Sequence, residues 1–79
     1  RLLEENNFLR KYKHIFAALT HREKEILRLM ALGSNSADIA AGLNISEKTV
    51  STHRRNIKNK LNAQSAYDIT RFAQAFDLI

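Results

Sequence analysis

Apolar side chains recur along this chain at three- and four-residue intervals, the spacing of helices that bury one face. The run from Ser46 to Leu61 shows it most clearly. Wound at about 100° per residue, it brings Val50, Ile57 and Leu61 to within about 20° of one line. Lys48, Thr52, Arg55 and Asn59 fall on the opposite side, with Ser51 beside them. One stripe is aliphatic. The other carries cations, hydroxyls and an amide, and no carboxylate.

The same spacing places Phe8, Tyr12, Ile15, Phe16 and Leu19 on one face of a helix over residues 2–18, with Leu2 and Leu3 extending it weakly. A second helix, from His21 to Leu32, has a broad apolar face made by Ile26, Leu27, Leu29, Met30 and Leu32. Thr20 and Glu23 form a capping box at its start, and Gly33 can end it in the left-handed conformation. Asn35 caps a short helix from Ser36 to about Gly42, with Ile39 and Ala40 turned inward. The turn that follows buries Leu43 and Ile45, and Asn44 tolerates a positive φ there. Ser46 caps the amphipathic helix, Glu47 suits its positive end, and Asn62 can close it. A second capping box, Ser65 with Asp68, opens a last helix running to about Phe76. Ala66, Ile69, Phe72 and Ala73 share its inner side, and a short tail folds back after it.

Composition narrows the fold. The 79 residues suffice for one small domain. With no proline and two glycines, the chain reads as all-α. With no cysteine, it excludes disulfides and thiolate metal sites. His14, His21 and His53 have no metal-ligand spacing. No apolar run approaches the roughly 18 residues that span a bilayer, and no signal-peptide pattern opens the chain, so the expected compartment is the cytoplasm. The sequence begins at Arg1, mid-helix by its pattern, which suggests a piece of a longer protein.

Charge points to a partner. The net charge is +5. Residues 46–62 hold five basic side chains against one acidic, whereas residues 20–45 balance three with three. That local excess is the footprint expected for a polyanion. The basic helix lacks the apolar face that would enter lipid.

The short helix and the basic one, joined by a tight turn, make a helix-turn-helix, braced by the helix before them. A helix held by its inner stripe presents its outer face rigidly, as reading a major groove requires.

The residues that carry these features closely resemble the LuxR-type (FixJ/NarL-type) DNA-binding domain. They are Leu19-Thr20-x-Arg22-Glu23-x-Glu25-Ile26-Leu27, Gly33, Asp38-Ile39-Ala40, Leu43-x-Ile45-Ser46-Glu47-Lys48-Thr49-Val50-x-x-His53 and Ile57-x-x-Lys60-Leu61. The likeness covers about residues 19–79, ending with Phe72-Ala73 and Leu78-Ile79. His21, Asn62 and Asp77 depart from it, standing where the family usually has proline, glycine and glycine. The resemblance implies a four-helix domain over 19–79, preceded by a linker helix over 1–18 from an upstream receiver, ligand-binding or other sensor domain. It implies the C-terminal effector part of a bacterial transcription regulator, dimeric on DNA through its last helix, with no cofactor.

Helix phase and family position together nominate Ser51, Thr52 and Arg55 for base edges. Lys48, Thr49, Arg54, Lys58 and Lys60 are nominated for phosphates, which set register without reading sequence. Asn35 or Ser36 could present N–H groups to a phosphate, and plain capping explains them equally well. His53 sits about 60° from the inner stripe, where the family keeps a histidine, and a structural role is favoured over a phosphate contact. Tyr67 and Thr70 are the interface candidates on the last helix. For the N-terminal helix, a linker or dimerisation role and an arm packed on the core stay open. Its cluster Arg10-Lys11-Tyr12-Lys13-His14 could touch DNA, and solvation is the favoured reading.

The alternatives are a promoter-reading module like that of sigma factors, which would make RNA polymerase a partner, and a module that meets an acidic protein. An enzyme fits least. The sequence has no nucleophile–base pair, glycine-rich phosphate loop or carboxylate pair at a suitable spacing.

Overall fold

The computed structural model describes residues 2–79, and side chains from residue 7 onward. Five helices follow one another: α1 (Leu2–Ala18), α2 (His21–Ala31), α3 (Ser36–Leu43), α4 (Glu47–Leu61) and α5 (Ala66–Ala75). The expectation for Leu2 and Leu3 lies outside the described side chains.

Local chemistry sets where the helices start. The Thr20 hydroxyl accepts the Glu23 N–H at 3.1 Å, and Glu23 Oε1 accepts the Thr20 N–H at 2.9 Å, closing the capping box. Asn35 Oδ1 accepts the Asp38 N–H at 2.8 Å, and Ser46 Oγ accepts the Thr49 N–H at 3.1 Å. At α5 only half of the expected box forms. Ser65 Oγ accepts the Asp68 N–H, but Asp68 Oδ2 takes the N–H of Gln64 instead of that of Ser65. The carboxylate therefore caps one residue further back.

The helix ends share one device. Gly33, Asn44, Asn62 and Asp77 all have positive φ, between 53° and 88°. Behind each, the next N–H reaches back five residues: Ser34 to the Leu29 carbonyl, Ile45 to Ala40, Ala63 to Lys58 and Leu78 to Ala73, at 2.8–3.0 Å. These bonds satisfy carbonyls that the helix end would otherwise leave open. Asn62 and Asp77, which replace the family's glycines, thus keep the glycine conformation at the ordinary cost of a polar residue in that region.

α2 packs against both α4 and α5, and α3 packs against α4. The core is built by Leu19, by Ile26 and Leu27 of α2, by Ile39 and Ala40 of α3, and by Val50, Ile57 and Leu61 of α4. Ile69, Phe72 and Ala73 of α5 complete it. α1 lies against α5 through aromatic rings. Phe16 stacks on Phe76 at 4.5 Å with the planes 5° apart, and Phe8 and Tyr12 meet Phe72 edge-on at 6.2 and 6.0 Å. Lys24 of α2 caps the cluster over the Phe16 ring at 4.3 Å, and Arg71 lies over Phe8 at 4.7 Å. The arm does pack on the core.

Three expectations need correction. Leu32 is not part of the α2 face. The helix stops at Ala31, the chain turns, and Leu32 is left 55% exposed. Ala66, at the first turn of α5, faces solvent rather than the core. Leu43 and Ile45 pack against the core but stay half-buried, because the α3–α4 turn runs along the surface. The end of α5 agrees with expectation, with Ala75 as its last residue and Phe76 as its cap.

Ile57 is wholly buried. Ile57→Ala should therefore cost roughly 2–5 kcal/mol and lower the thermal midpoint by about 8 °C or more. A melting curve that does not move would mean that α4 is turned the other way.

Candidate nucleic-acid interface

Burial fixes the rotation of α4. Val50 and Ile57 have no exposed surface and Leu61 has 6%. On the opposite side Lys48, Ser51, Thr52, Arg55 and Asn59 are all exposed. The buried stripe and the polar row are those the periodicity predicts.

Each polar group is presented in a particular state. The Thr52 hydroxyl donates to the Lys48 carbonyl at 3.1 Å, so toward solvent it offers lone pairs and a methyl group. Thr49 Oγ1 is shared with Ser46 Oγ at 2.9 Å, which ties it to the start of the helix. Arg55 is exposed and stands outside the ion pairs among the described residues, so its planar fork is free for bidentate bonding.

The turn brings α3 alongside. Ser36, Ser51, Arg54, Arg55, Lys58 and Asn59 line one open hollow of about 330 Å³. Four nominated residues, Ser51, Arg54, Arg55 and Lys58, therefore converge with the first residue of α3. Lys48, Thr49 and Thr52 lie nearer the start of α4 and do not line it. Asn59 lines it although sequence reasoning gave it no role beyond the outer row. His53 is half-buried, and its ring makes no hydrogen bond among the described residues.

Lys60 is positioned differently from its fellows. Its Nζ donates to Glu23 Oε1 at 2.8 Å, joining the last turn of α4 to the first turn of α2. Glu23 is 4% exposed. Burial alone would raise its pKa. The hydrogen bonds from Lys60 and from the Thr20 N–H, the Lys60 charge and the Thr20 hydroxyl more than offset this, and they hold the carboxyl below its ordinary 4.5. Lys60 thus braces α4 against α2, a contact that the other residues nominated for phosphates do not make among the described residues. The signal was present: Glu23 precedes Ile26 and Leu27 by three and four residues, on the core side of α2.

Comparisons with known proteins give the family. Residues 17–73 match the model of the family described as bacterial regulatory proteins, luxR family. The chain belongs to that family. It is a helix-turn-helix DNA-binding domain of a transcription regulator, and not an enzyme. The regulatory protein SdiA of Escherichia coli is 48% identical over 58 residues, covering 73% of this chain and 24% of that protein. The response regulator protein VraR of Staphylococcus aureus is 37% identical over 78 residues, covering 99% of this chain and 37% of that protein. The uncharacterized response regulatory protein YgeK of E. coli is 47% identical over 55 residues, 70% of this chain and 37% of that protein. The chain thus spans between about a quarter and little more than a third of the length of these relatives. Among the described residues no helix is long and apolar enough to cross a membrane, and no cluster of His, Cys, Asp or Glu could hold a metal ion.

The Glu23 carboxyl sets a pH dependence. Its folded pKa is depressed, so its contribution to stability is present above 4.5 and is lost as the pH falls from there through the lower folded value. Glu23→Gln should be less stable than the parent at neutral pH, and the gap should close as the solution is acidified below 4.5. Denaturant unfolding across that range would contradict the pairing if the gap stayed constant.

Proposed function

We propose that this domain binds double-stranded DNA sequence-specifically, with α4 in the major groove. The observation that carries the reading is the outer row of α4: cations, hydroxyls and an amide, without a carboxylate, on a helix whose opposite stripe is fully buried. Arg55 bonds a guanine through two N–H groups. Ser51 and Thr52 read neighbouring bases. Thr52 acts as an acceptor or through its methyl group, because its proton is directed to Lys48. Lys48, Thr49, Arg54 and Lys58 hold phosphates, and Ser36 adds the start of α3. Lys60 is left out of this set because Glu23 holds it.

We further read residues 19–79 as the C-terminal effector domain of a cytoplasmic bacterial regulator, and residues 1–18 as the link from an upstream sensor. The likeness to proteins named response regulators supports a receiver as that sensor. On DNA the domain pairs with a second copy through α5. Tyr67, 69% exposed, and Thr70 offer the contact, and RNA polymerase is a further candidate partner. The packing of α1 on α5 through Phe72 and Phe76 leaves Tyr67 uncovered.

Arg55→Ala should cost roughly 1–3 kcal/mol on a duplex selected from a random pool and much less on random DNA. Equal losses on both, titrated at fixed salt, would reduce Arg55 to a phosphate contact. Lys58→Ala should flatten the plot of log affinity against log salt by about one unit, and an unchanged slope would remove Lys58 from the interface.

A further inference from the structure

A second hollow lies next to the one beside the recognition helix, between α4 and the start of α5, with a volume of about 170 Å³. Arg54 and Lys58 form one wall, Gln64 and Ser65 another, and Met30 and Ile69 lie beneath. Arg54 and Lys58 also line the first hollow, so the two share a pair of cations. Neither is lined by a carboxylate. That is not general for this surface. The hollow under α1, about 110 Å³, sets Asp68 beside Arg71. Asp68 is also the carboxylate nearest to Gln64, and its Oδ2 is occupied by the Gln64 N–H at 2.9 Å.

The polar groups of the second hollow have donors to spare. Ser65 Oγ accepts the Asp68 N–H at 3.3 Å, which leaves its own proton free to donate. The Gln64 side-chain amide gives one N–H to Asn62 Oδ1 at 3.3 Å and retains the other. Two cations, a hydroxyl and an amide over apolar side chains match one chemical unit, an anionic phosphate joined to a sugar. The charged groups suit the phosphate, and the half-buried Met30 suits the carbon face of the deoxyribose.

We infer that one DNA strand runs from the α3–α4 hollow past Arg54 and Lys58 into the α4–α5 hollow. The turn holding Gln64 and Ser65 is then a sequence-independent backbone contact, outside the helix-turn-helix itself. The inference rests on the duplex-binding reading above and extends its footprint along the strand. Arg54, a flanking residue by helix phase, becomes the point where the two hollows meet. Gln64 and Ser65 add affinity and register without changing base preference.

The test places charges of either sign at two exposed positions. Gln64→Glu and Gln64→Lys are set against Ala17→Glu and Ala17→Lys, all four made in the full chain. Ala17 is exposed near the end of α1, off α5, and lines neither hollow. The probe is a short duplex of random sequence, titrated over a range of salt. Gln64→Glu should weaken binding by about fivefold and Gln64→Lys should tighten it similarly, with the salt slope of the lysine variant steeper by about one unit. The Ala17 pair should change affinity less than about twofold, as distant screened charges do. The tightening arm cannot be mimicked by misfolding. If the Gln64 pair changes affinity no more than the Ala17 pair while Lys58→Ala still flattens the slope, the inference fails and the duplex-binding reading stands. If the parent chain binds no duplex, that reading falls and the inference falls with it.

Discussion

α4 cannot roll about its own axis, and the rest of the surface follows from that. Val50, Ile57 and Leu61 are buried against α2 and α3, and a roll of half a turn would exchange them for Lys48, Thr52 and Arg55. Placing an unpaired guanidinium in an apolar core costs several kcal/mol, comparable with the whole stability of a small domain. The Glu23–Lys60 pair adds a polar lock at the far end of the helix. It also keeps the buried Glu23 carboxylate satisfied, since an unpaired one would be costly. Hydrophobic burial thus fixes which side of α4 faces out, and the ion pair fixes the last turn against α2.

The other elements serve that placement. Four left-handed residues, each followed by an N–H reaching back five positions, end α2, α3, α4 and α5 sharply, so the connections stay short. A short turn at Asn44 holds the start of α3 beside the outer row of α4, which brings Ser36 to the same hollow as Arg54 and Lys58. α1 adds a second, aromatic layer on α5. Its rings reach Phe72 and Phe76, whose own positions are set by the core, so α1 is coupled to the DNA-binding unit by packing rather than by chain connection alone. Through α5 and α2 that packing leads to α4.

Much of this was legible in the sequence, for physical reasons. The limits and phase of α4 could be read because a helix repeats at a fixed angle and its caps are local. The ends at Gly33, Asn44 and Asn62 could be read because few residue types tolerate positive φ. The misreadings share a cause: each depended on a group distant in sequence or on the first or last turn of a helix. Leu32 continues the apolar period of α2, but the helix has already ended there. Ala66 sits in the first turn of α5, where the inner face has barely begun. The ion pair of Lys60 was likewise not legible, because Glu23 stands 37 residues earlier. The site was legible as a row of residues but not as a surface. The convergence of Ser36 and Asn59 with Arg54, and the second hollow beside Gln64, arise from how three helices are placed together.

The central claim is that duplex DNA meets the outer row of α4. The direct test is a titration of duplex DNA into the isotope-labelled chain, followed by nuclear magnetic resonance. The largest shifts should map to Ser51, Thr52, Arg55, Lys58 and the start of α3, while the methyl groups of Val50 and Ile57 stay close to their free positions. Shifts concentrated on α1 or on the outer face of α5, with the α4 row unmoved, would contradict it.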